Sequence, residues 1–463
     1  MRHRSVALRE RGRLATLFST VLGQARQQPG WQEPDRRNLR TWGQLVLGVV
    51  VARSTRLVTV SQTILGQRAA QSVKAVAMGL AYFLTVAAFP APTLSPLVLD
   101  AAARQLDPTQ VATYRGKVVL ALDPTEYAKR SRGRGRSRDG KPRPMEYIGR
   151  VRKPRRGPTK APKTAPAPKT PRVATTTGYV DVWAGLVLTG KQFLPLARAL
   201  FSNRHPDLTS QNRVEEAVLA TALGVVARLG WPAIIVADRG LGRKELLVAL
   251  VQQGRDLAIR VDADVTVFTA AHPNGALLAT ALAAEPARGE VVWDRGQEGK
   301  LPCRARTVTA TIRFSRTGRQ ADFRAAALHF IELVPLDGTT DPLVLATTLP
   351  VATVADIQGV VRVYAWRWAI ETGFETMKAW GLGRFMVRAW QAIDRLLWVV
   401  AVAYALLVLA LGEGPLAILR EQAVALLKRL AVLGRCLTVG KLAEAIGLDF
   451  QRHRRAWASA WRT

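Results

Sequence analysis

Two short apolar runs that each end in an aspartate constrain the fold of this chain more than any other feature. Residues 118–123 read Val-Val-Leu-Ala-Leu-Asp, and residues 233–238 read Ala-Ile-Ile-Val-Ala-Asp. Continuous apolar runs of this length are typical of strands buried on both faces of a sheet. Side chains at the carboxyl ends of such strands project into the ligand crevice of an open α/β sheet. The pattern predicts an α/β fold in which Asp123 and Asp238 face a site, although either one alone could simply cap a turn.

A third carboxylate stands in a segment with helical periodicity. At about 100° per residue, Tyr364, Arg367, Glu371 and Lys378 fall within about 60° of one another, opposite an apolar face. One carboxylate aligned with two cations and a phenol suits a metal ligand beside phosphate-binding groups. Glu375 lies one turn further on, so periodicity alone leaves it open as the ligand, while the spacing favours Glu371. Together with two aspartates, this carboxylate could hold Mg²⁺ against a phosphate.

The charge of the chain indicates a polyanionic partner. Its 463 residues include 67 Lys and Arg against 34 Asp and Glu, a formal charge of +33. Nucleic acid is the first candidate, because phosphate neutralisation supplies most non-specific affinity, and an acidic membrane surface is the second. A hydrophobic fraction of 48% excludes a wholly disordered basic protein, and two cysteines exclude a disulfide scaffold or a cysteine-rich zinc site.

Nearly half of the excess charge is concentrated in one segment. Residues 129–172 hold seventeen Lys or Arg against two acids and are rich in proline, which predicts a flexible basic loop that interrupts a domain. We expect this loop to bind DNA non-specifically, unless it is a tolerated surface insertion. Its DNA-binding candidates are Arg130, Arg132, Arg134, Arg136 and Arg138.

Hydropathy argues against a membrane partner. The N-terminus lacks the apolar core and cleavage site of a signal peptide. The longest apolar run, residues 396–411, is shorter than the roughly 18–20 residues that span a bilayer, which predicts a buried core helix. We therefore expect a cytoplasmic, nucleoid-associated protein.

Periodicity along the chain predicts several structural regions. Residues 354–380 are expected to form one long helix. The expected regions are a helical region at 1–115, an α/β region at 116–254 that includes the basic loop, a β-rich region at 255–350 with strands at 257–261 and 343–347 among others, a helical region at 351–410 and a helical C-terminal region at 411–463.

At this point the residues resemble a known family. Tyr364-x2-Arg367-x3-Glu371-x6-Lys378 is similar to the Tyr-Arg-Glu-Lys signature of DDE transposases from bacterial insertion sequences, the insertion-sequence-four type. The chain also resembles that family at Leu122-Asp-Pro-Thr125 and at Val236-Ala-Asp-Arg-Gly240, its two aspartate strands. The likeness covers roughly residues 40–410, and the basic loop departs from the family's pattern.

The resemblance implies a fold and a set of ligands. The implied fold is an RNase H-like catalytic core, a mixed sheet flanked by helices, in two parts at 116–254 and 351–410. The resemblance implies that 255–350 is a β-rich insertion subdomain and that 1–115 is a helical DNA-binding domain. Asp123, Asp238 and Glu371 would bind two Mg²⁺ ions, for which Mn²⁺ can substitute. The implied DNA contacts are Tyr364, Arg367 and Lys378, with Arg239 from the second aspartate motif and Trp293 as the base-stacking candidate of the insertion subdomain. A structural role is the more common one for a tryptophan such as Trp293.

The resemblance also implies an activity and partners. The activity is Mg²⁺-dependent cleavage of insertion-sequence ends and strand transfer into target DNA by a two-metal, cut-and-paste mechanism. The partners are double-stranded DNA, as transposon ends and as target, and a second copy of the chain in a synaptic homodimer. Two alternatives remain: a structure-specific RNase H-like nuclease without strand transfer, and a non-catalytic DNA-binding protein derived from a transposase.

Overall fold

The computed structural model describes residues 16–64, 72–129, 145–152, 175–315, 317, 322–411 and 438–452. Within these residues the chain is a mixed α/β structure built on one sheet of eleven strands. Buried apolar side chains from the N-terminal helices, the sheet and the C-terminal helices form one continuous core.

The N-terminal region is helical, as its periodicity predicts. The Asp35 side chain caps the second helix by accepting hydrogen bonds from the backbone N–H groups of Arg37 and Asn38. Trp42 is fully buried, and its ring centroid lies 5.6 Å from those of Phe18 and Phe89. The helices are α1 (16–26), α2 (Arg36–Ala52), α3 (Leu57–Ile64), α4 (Val73–Thr85) and α5 (Ala91–Ala103).

The central sheet is mixed. Its strands are β1 (Thr113–Tyr114), β2 (Lys117–Ala128), β3 (Gly149–Arg152), β4 (Thr175–Leu188), β5 (Gln192–Phe201), β6 (Ala233–Ala237), β7 (Asp256–Arg260), β10 (Gly289–Asp294), β11 (Lys300–Phe314), β12 (Arg324–Pro335) and β13 (Leu343–Thr347), while β8 (Thr266–Val267) and β9 (Ala276–Leu277) form a separate pair. Strands β2, β6 and β7 are parallel neighbours, whereas β4 and β5 continue the sheet in antiparallel fashion beyond β2. This arrangement is consistent with the RNase H-like core that the resemblance implies.

The strands of the predicted insertion extend this same sheet. The order β10-β11-β12-β13-β7 is antiparallel throughout, and β13 pairs directly with β7. The predicted strand at 343–347 is confirmed with the same bounds. Because β7 lies within the predicted insertion range and pairs in parallel with β6, the sheet passes from the core to the insertion without a gap.

The remaining helices cover the sheet and join its parts. They are α6 (Gln211–Arg228), α7 (Lys244–Gln252), α8 (Leu278–Ala283), α9 (Val354–Ala365), α10 (Trp368–Ala379), α11 (Trp390–Leu411) and α12 (Val439–Arg452). Arg228 on α6 bonds through Nη2 at 2.7 Å to Asp100, a buried residue of α5, and so ties the N-terminal helices to the core.

Helix α11 contains the long apolar run. It begins at Trp390, so at 22 residues it is long and apolar enough to cross a membrane, which the run of residues 396–411 alone is not. In the structure, 89% of its most apolar stretch is buried against other elements. The prediction of a buried core helix is therefore confirmed. Arg395 donates to the carbonyl oxygens of Phe83 and Leu84, and so provides hydrogen-bond donors for carbonyl groups at the end of α4.

Two expectations about the first half of the core need correction. Asp123 does not end its strand, because pairing with β4 carries β2 on to Ala128. The segment 129–172 is not wholly a loop either, since β3 pairs with β4 within it. In β3, Gly149 and Val151 are buried, whereas Arg150 and Arg152 are exposed. This alternation suits an edge strand. The five arginine candidates between residues 130 and 138 lie outside the described residues.

Candidate functional site

The site begins where the parallel strands stop pairing. Leu122 pairs with Ala237, and Ala237 pairs with Ile259, in three neighbouring strands. The next residue on each strand is Asp123, Asp238 and Arg260, so these three residues occupy one row at the carboxyl edge of the sheet. Side chains at such an edge face the crevice that α/β proteins use for ligands.

Two helices, α9 and α10, form the other side of the site. The N-terminus of α9 is fixed by a capping box, in which Thr353 and Asp356 exchange hydrogen bonds. Close packing of α9 on β1 depends on Gly359, because a Cβ at this position would approach Cζ of Tyr114 to 2.8 Å. This packing fixes the position of α9 on the sheet, and therefore the position of Tyr364, near the end of α9, relative to the strand edge.

The expected single helix over 354–380 is wrong, because the chain breaks between α9 and α10. At the break, the N–H of Arg367 donates to the carbonyl of Tyr364 and the N–H of Ile370 to that of Arg367, both three residues back. Such tighter turns resemble a 3₁₀-helix and shift the helical phase. The four signature residues therefore do not share one ideal stripe, yet they still converge on the strand edge.

Tyrosine and arginine side chains link the carboxylates. The Tyr364 hydroxyl donates to Asp238 Oδ1 at 3.3 Å, and Arg260 Nη1 lies 3.8 Å from the same oxygen. Arg367 Nη1 lies 2.6 Å from Glu371 Oε1 and 3.5 Å from Asp123 Oδ2. One guanidinium, only 6% exposed, thus bridges the third carboxylate and the first.

Burial and like charge perturb the ionisation of the site. The pKa of Asp123 is raised to about 7, chiefly because its side chain is buried. The Arg367 guanidinium opposes this rise, and the carboxylates of Glu371 and Asp238 contribute to it. Burial also raises the pKa of Tyr364 to about 12, so its hydroxyl remains a donor at neutral pH. All three carboxylates therefore lie within electrostatic reach of one another.

Glu371 and Glu375 differ in their relation to this group. Glu371 pairs with Arg367, and its charge acts on Asp123. Glu375 is exposed on α10 and interacts with Lys378, whose own pKa is lowered by burial and raised by Asp123 and nearby glutamates. This geometry favours Glu371 as the third ligand, in agreement with the spacing argument.

The donor set suits a hard cation. Carboxylate oxygens are the protein ligands that Mg²⁺ prefers, and a divalent ion would offset the like charges that raise the pKa of Asp123. Among the described residues, no group of three His, Cys, Asp or Glu side chains is close enough together to hold a metal ion. The Arg367 guanidinium lies between two of the carboxylates, so metal binding would require these side chains to rearrange.

Of the other predicted DNA contacts, Arg239 and Trp293 interact with residues outside the carboxylate group, and the five arginines lie outside the described residues. Arg239 pairs at 3.3 Å with Asp262, and both side chains are more than half exposed. Trp293 on β10 is partly buried against the core, with the Arg295 guanidinium 5.4 Å from the centre of its ring. Its indole N–H is buried and has no hydrogen-bond partner among the described residues.

The sequence reasoning missed two features of the site. Arg260 could have been found by placing the strand predicted at 257–261 beside the two strands that carry the aspartates. The other is a buried network of hydrogen bonds behind Asp123. One of its members, Arg198, lies on β5, a strand that the sequence analysis did not predict. The members of the network are Tyr127, Asp181, Trp183, Arg198 and Asp394, which are joined by hydrogen bonds of 2.7–3.0 Å.

This network supports the site from behind. Trp183 pairs with Asp123 across β2 and β4, and its indole N–H donates to Asp181 at 2.8 Å. Its ring lies edge-on to Phe374 of α10, with centroids 6.1 Å apart. The same tryptophan therefore touches the helix that carries Glu371 and the strand that carries Asp123.

Comparison with known proteins agrees with this arrangement. Residues 205–406 match the family model described as the transposase DDE domain. No curated protein matches the chain significantly. The matched range contains Asp238, Glu371 and the three other signature residues, while Asp123 precedes it and joins them through the pairing of β2 with β6. Residues 205–406 therefore correspond to a transposase DDE domain, the domain of a family of catalytic phosphoryl-transfer enzymes.

Proposed function

We propose that this protein is an insertion-sequence transposase of the insertion-sequence-four type, which cleaves the ends of its element and joins them to target DNA. One observation carries the proposal. Within and beside the matched domain, Tyr364 contacts Asp238, which follows β6, and Arg367 contacts both Asp123 of β2 and Glu371, with these residues spaced as in the family signature.

Asp123, Asp238 and Glu371 would hold two Mg²⁺ ions, for which Mn²⁺ can substitute. When bound, the ions supply Lewis-acid stabilisation of both the attacking and the leaving oxygens of an in-line displacement. Tyr364 orients Asp238 through its hydroxyl. Arg367 orients Glu371, and its guanidinium is placed to take a phosphate oxygen once a cation neutralises the carboxylates. Lys378, exposed at the end of α10, would bind the next phosphate.

The proposal includes the assembly and the setting of the reaction. Two DNA ends have to be held together for cut-and-paste transfer, so we propose a homodimer in the synaptic complex. The net charge of +33 suits binding to DNA in the cytoplasm and at the nucleoid. Arg239, Trp293 and the five arginines of the basic loop remain proposed DNA contacts. The helical region at 1–115, with the core, insertion and C-terminal divisions given above, remains the proposed domain plan.

A joining assay separates this proposal from its alternatives. The purified protein is incubated with Mg²⁺, a DNA fragment that contains its coding sequence with the native flanks, and an unrelated plasmid. The expected product is the element joined covalently to the plasmid, by wild-type protein and not by Glu371→Gln. Cleavage without joining would indicate a nuclease, and DNA binding without cleavage would indicate a non-catalytic protein; either result would overturn the proposal.

A further inference from the structure

Three aromatic rings cluster on the surface at the edge of the sheet, outside the carboxylate site. The ring centroids of Tyr147 and His205 lie 4.6 Å apart, and those of His205 and Trp390 lie 4.4 Å apart. Tyr147 is 42% exposed, although it packs against the other two rings. The cluster therefore offers an open aromatic face that no other described element covers.

The backbone that carries Tyr147 is held firmly. The N–H of Glu146 donates to the carbonyl of Arg388 at 3.1 Å, and the Glu146 side chain accepts from the N–H of Trp390 at 2.7 Å. Ser202 donates to the carbonyl of Tyr147. Tyr147 itself has φ = +48°, a conformation that is uncommon for a residue with a side chain. These contacts preorganise the ring, and residues held in such conformations are concentrated at functional sites.

The surroundings of the cluster are basic. Arg150 and Arg152 are exposed on the edge strand β3, and Arg204 is exposed beside His205. The acidic neighbours are Glu146, which accepts from the N–H of Trp390, and Asp207, whose backbone N–H donates to His205 Nδ1 at 3.2 Å. Open aromatic faces bordered by arginines are how proteins bind single-stranded nucleic acid without reading its sequence.

The cluster is continuous with the carboxylate site. The Glu126 side chain, on the strand that carries Asp123, accepts a hydrogen bond from the backbone N–H of Arg152 and interacts with the charge of Lys378. From Arg152 the strand β3 leads back about 10 Å to Gly149, which lies two residues after Tyr147. A basic path therefore runs from Lys378 along β3 to the three rings.

We propose that Tyr147, His205 and Trp390 form a stacking platform for an unpaired base of a DNA strand that leaves the carboxylate site along β3. The inference rests on the proposed function, because it assigns a path to the DNA on which that site acts. Tyr147 supplies the exposed stacking face, His205 and Trp390 support its ring, and Arg150 and Arg152 bind the phosphates between the platform and the site.

The test compares two fluorescent duplexes of mixed sequence, one blunt and one with a single-stranded tail, in binding titrations of the full chain with EDTA. Wild-type protein should bind the tailed duplex more tightly. Tyr147→Ala should weaken tail binding at least about fivefold while blunt-duplex binding stays unchanged, since stacking of one base is worth that much or more. Tyr147→Phe, which keeps the ring, should bind as wild type. A tail that contains 2-aminopurine should lose fluorescence on binding to wild-type protein and not to Tyr147→Ala.

Phe323→Ala removes another exposed aromatic ring, just before β12 and far along the sheet from β3, and should leave both affinities unchanged. If Tyr147→Ala fails to fold, Arg150→Ser with Arg152→Ser replaces two exposed side chains and should lower the salt dependence of tail binding by about 1.4 in log–log slope. Equal binding of the two duplexes by wild type, or an unchanged preference in Tyr147→Ala and the double variant, would overturn the inference. Because these titrations contain no Mg²⁺, they stand apart from the joining assay, so either proposal can fail while the other holds.

Discussion

At the residue scale, burial disfavours the ionised form of the Asp123 carboxylate. Its side chain is 14% exposed, it shares one guanidinium with Glu371, and burial raises its pKa to about 7. A carboxylate in this setting is poorly solvated in the absence of a cation. The same features that make it a candidate metal ligand make it a destabilising group in the metal-free protein.

Asp123→Asn should therefore stabilise the metal-free protein at high pH. Since the folded-state pKa lies above the ordinary value of 3.8, the native state holds a proton that the unfolded state has released, and stability falls as pH rises from about 4 to about 7. The variant lacks this penalty, so its free energy of unfolding at pH 8 should exceed that of wild type by up to about 4 kcal/mol. Thermal melts with EDTA at pH 8 and pH 4 measure the difference, which should nearly vanish at pH 4. A lower melting temperature for the variant at pH 8 would contradict this account.

At the element scale, the α9–α10 pair determines where the signature residues meet the sheet. Periodicity predicts the polar set but not the break between the helices, because the break depends on how Tyr364 and Arg367 reach their carboxylates in the folded core. Hydrophobic patterning predicts the apolar parts of β2, β6 and β7, since these parts are buried on both faces, but it does not predict the continuation of β2 to Ala128. It misses β5, in which Arg198 is buried through ion pairs that no local pattern reveals.

Gly359→Ala should disturb α9 and the site that it carries. The added methyl group would meet the ring of Tyr114, so α9 has to shift or the ring has to move, which we expect to cost about 1–3 kcal/mol. Chemical denaturation measures the loss, and DNA cleavage should fall because Tyr364 moves with the helix. Gly224→Ala on α6 is the matched control, because its Cβ would meet only the end of Arg228 at 3.5 Å. The control should be neutral or slightly stabilising, and equal stability for the two variants would refute the packing argument.

At the scale of the whole molecule, the sheet joins regions that the sequence analysis treats as separate. The strands of the predicted insertion extend the core sheet, and α11 packs against both β5 and the N-terminal helices. Sequence alone predicts the order of regions because each has its own periodicity. It does not predict their union, since strand pairing over long distances, such as β13 with β7, leaves no local signal. The anchoring of β3 within the basic segment is hidden for the same reason.

The central claim is that Asp123, Asp238 and Glu371 act together as the metal-dependent catalytic group. The most direct measurement is the rate of Mg²⁺-dependent cleavage of the element's flanking DNA, with binding followed in parallel. The carboxylate-removing variants Asp123→Asn, Asp238→Asn and Glu371→Gln should each lose on the order of a thousandfold in rate while still binding DNA, and the matched control Glu375→Gln should cleave as wild type does. Cleavage that persists in Glu371→Gln but disappears in Glu375→Gln, or that proceeds in EDTA, would contradict the account.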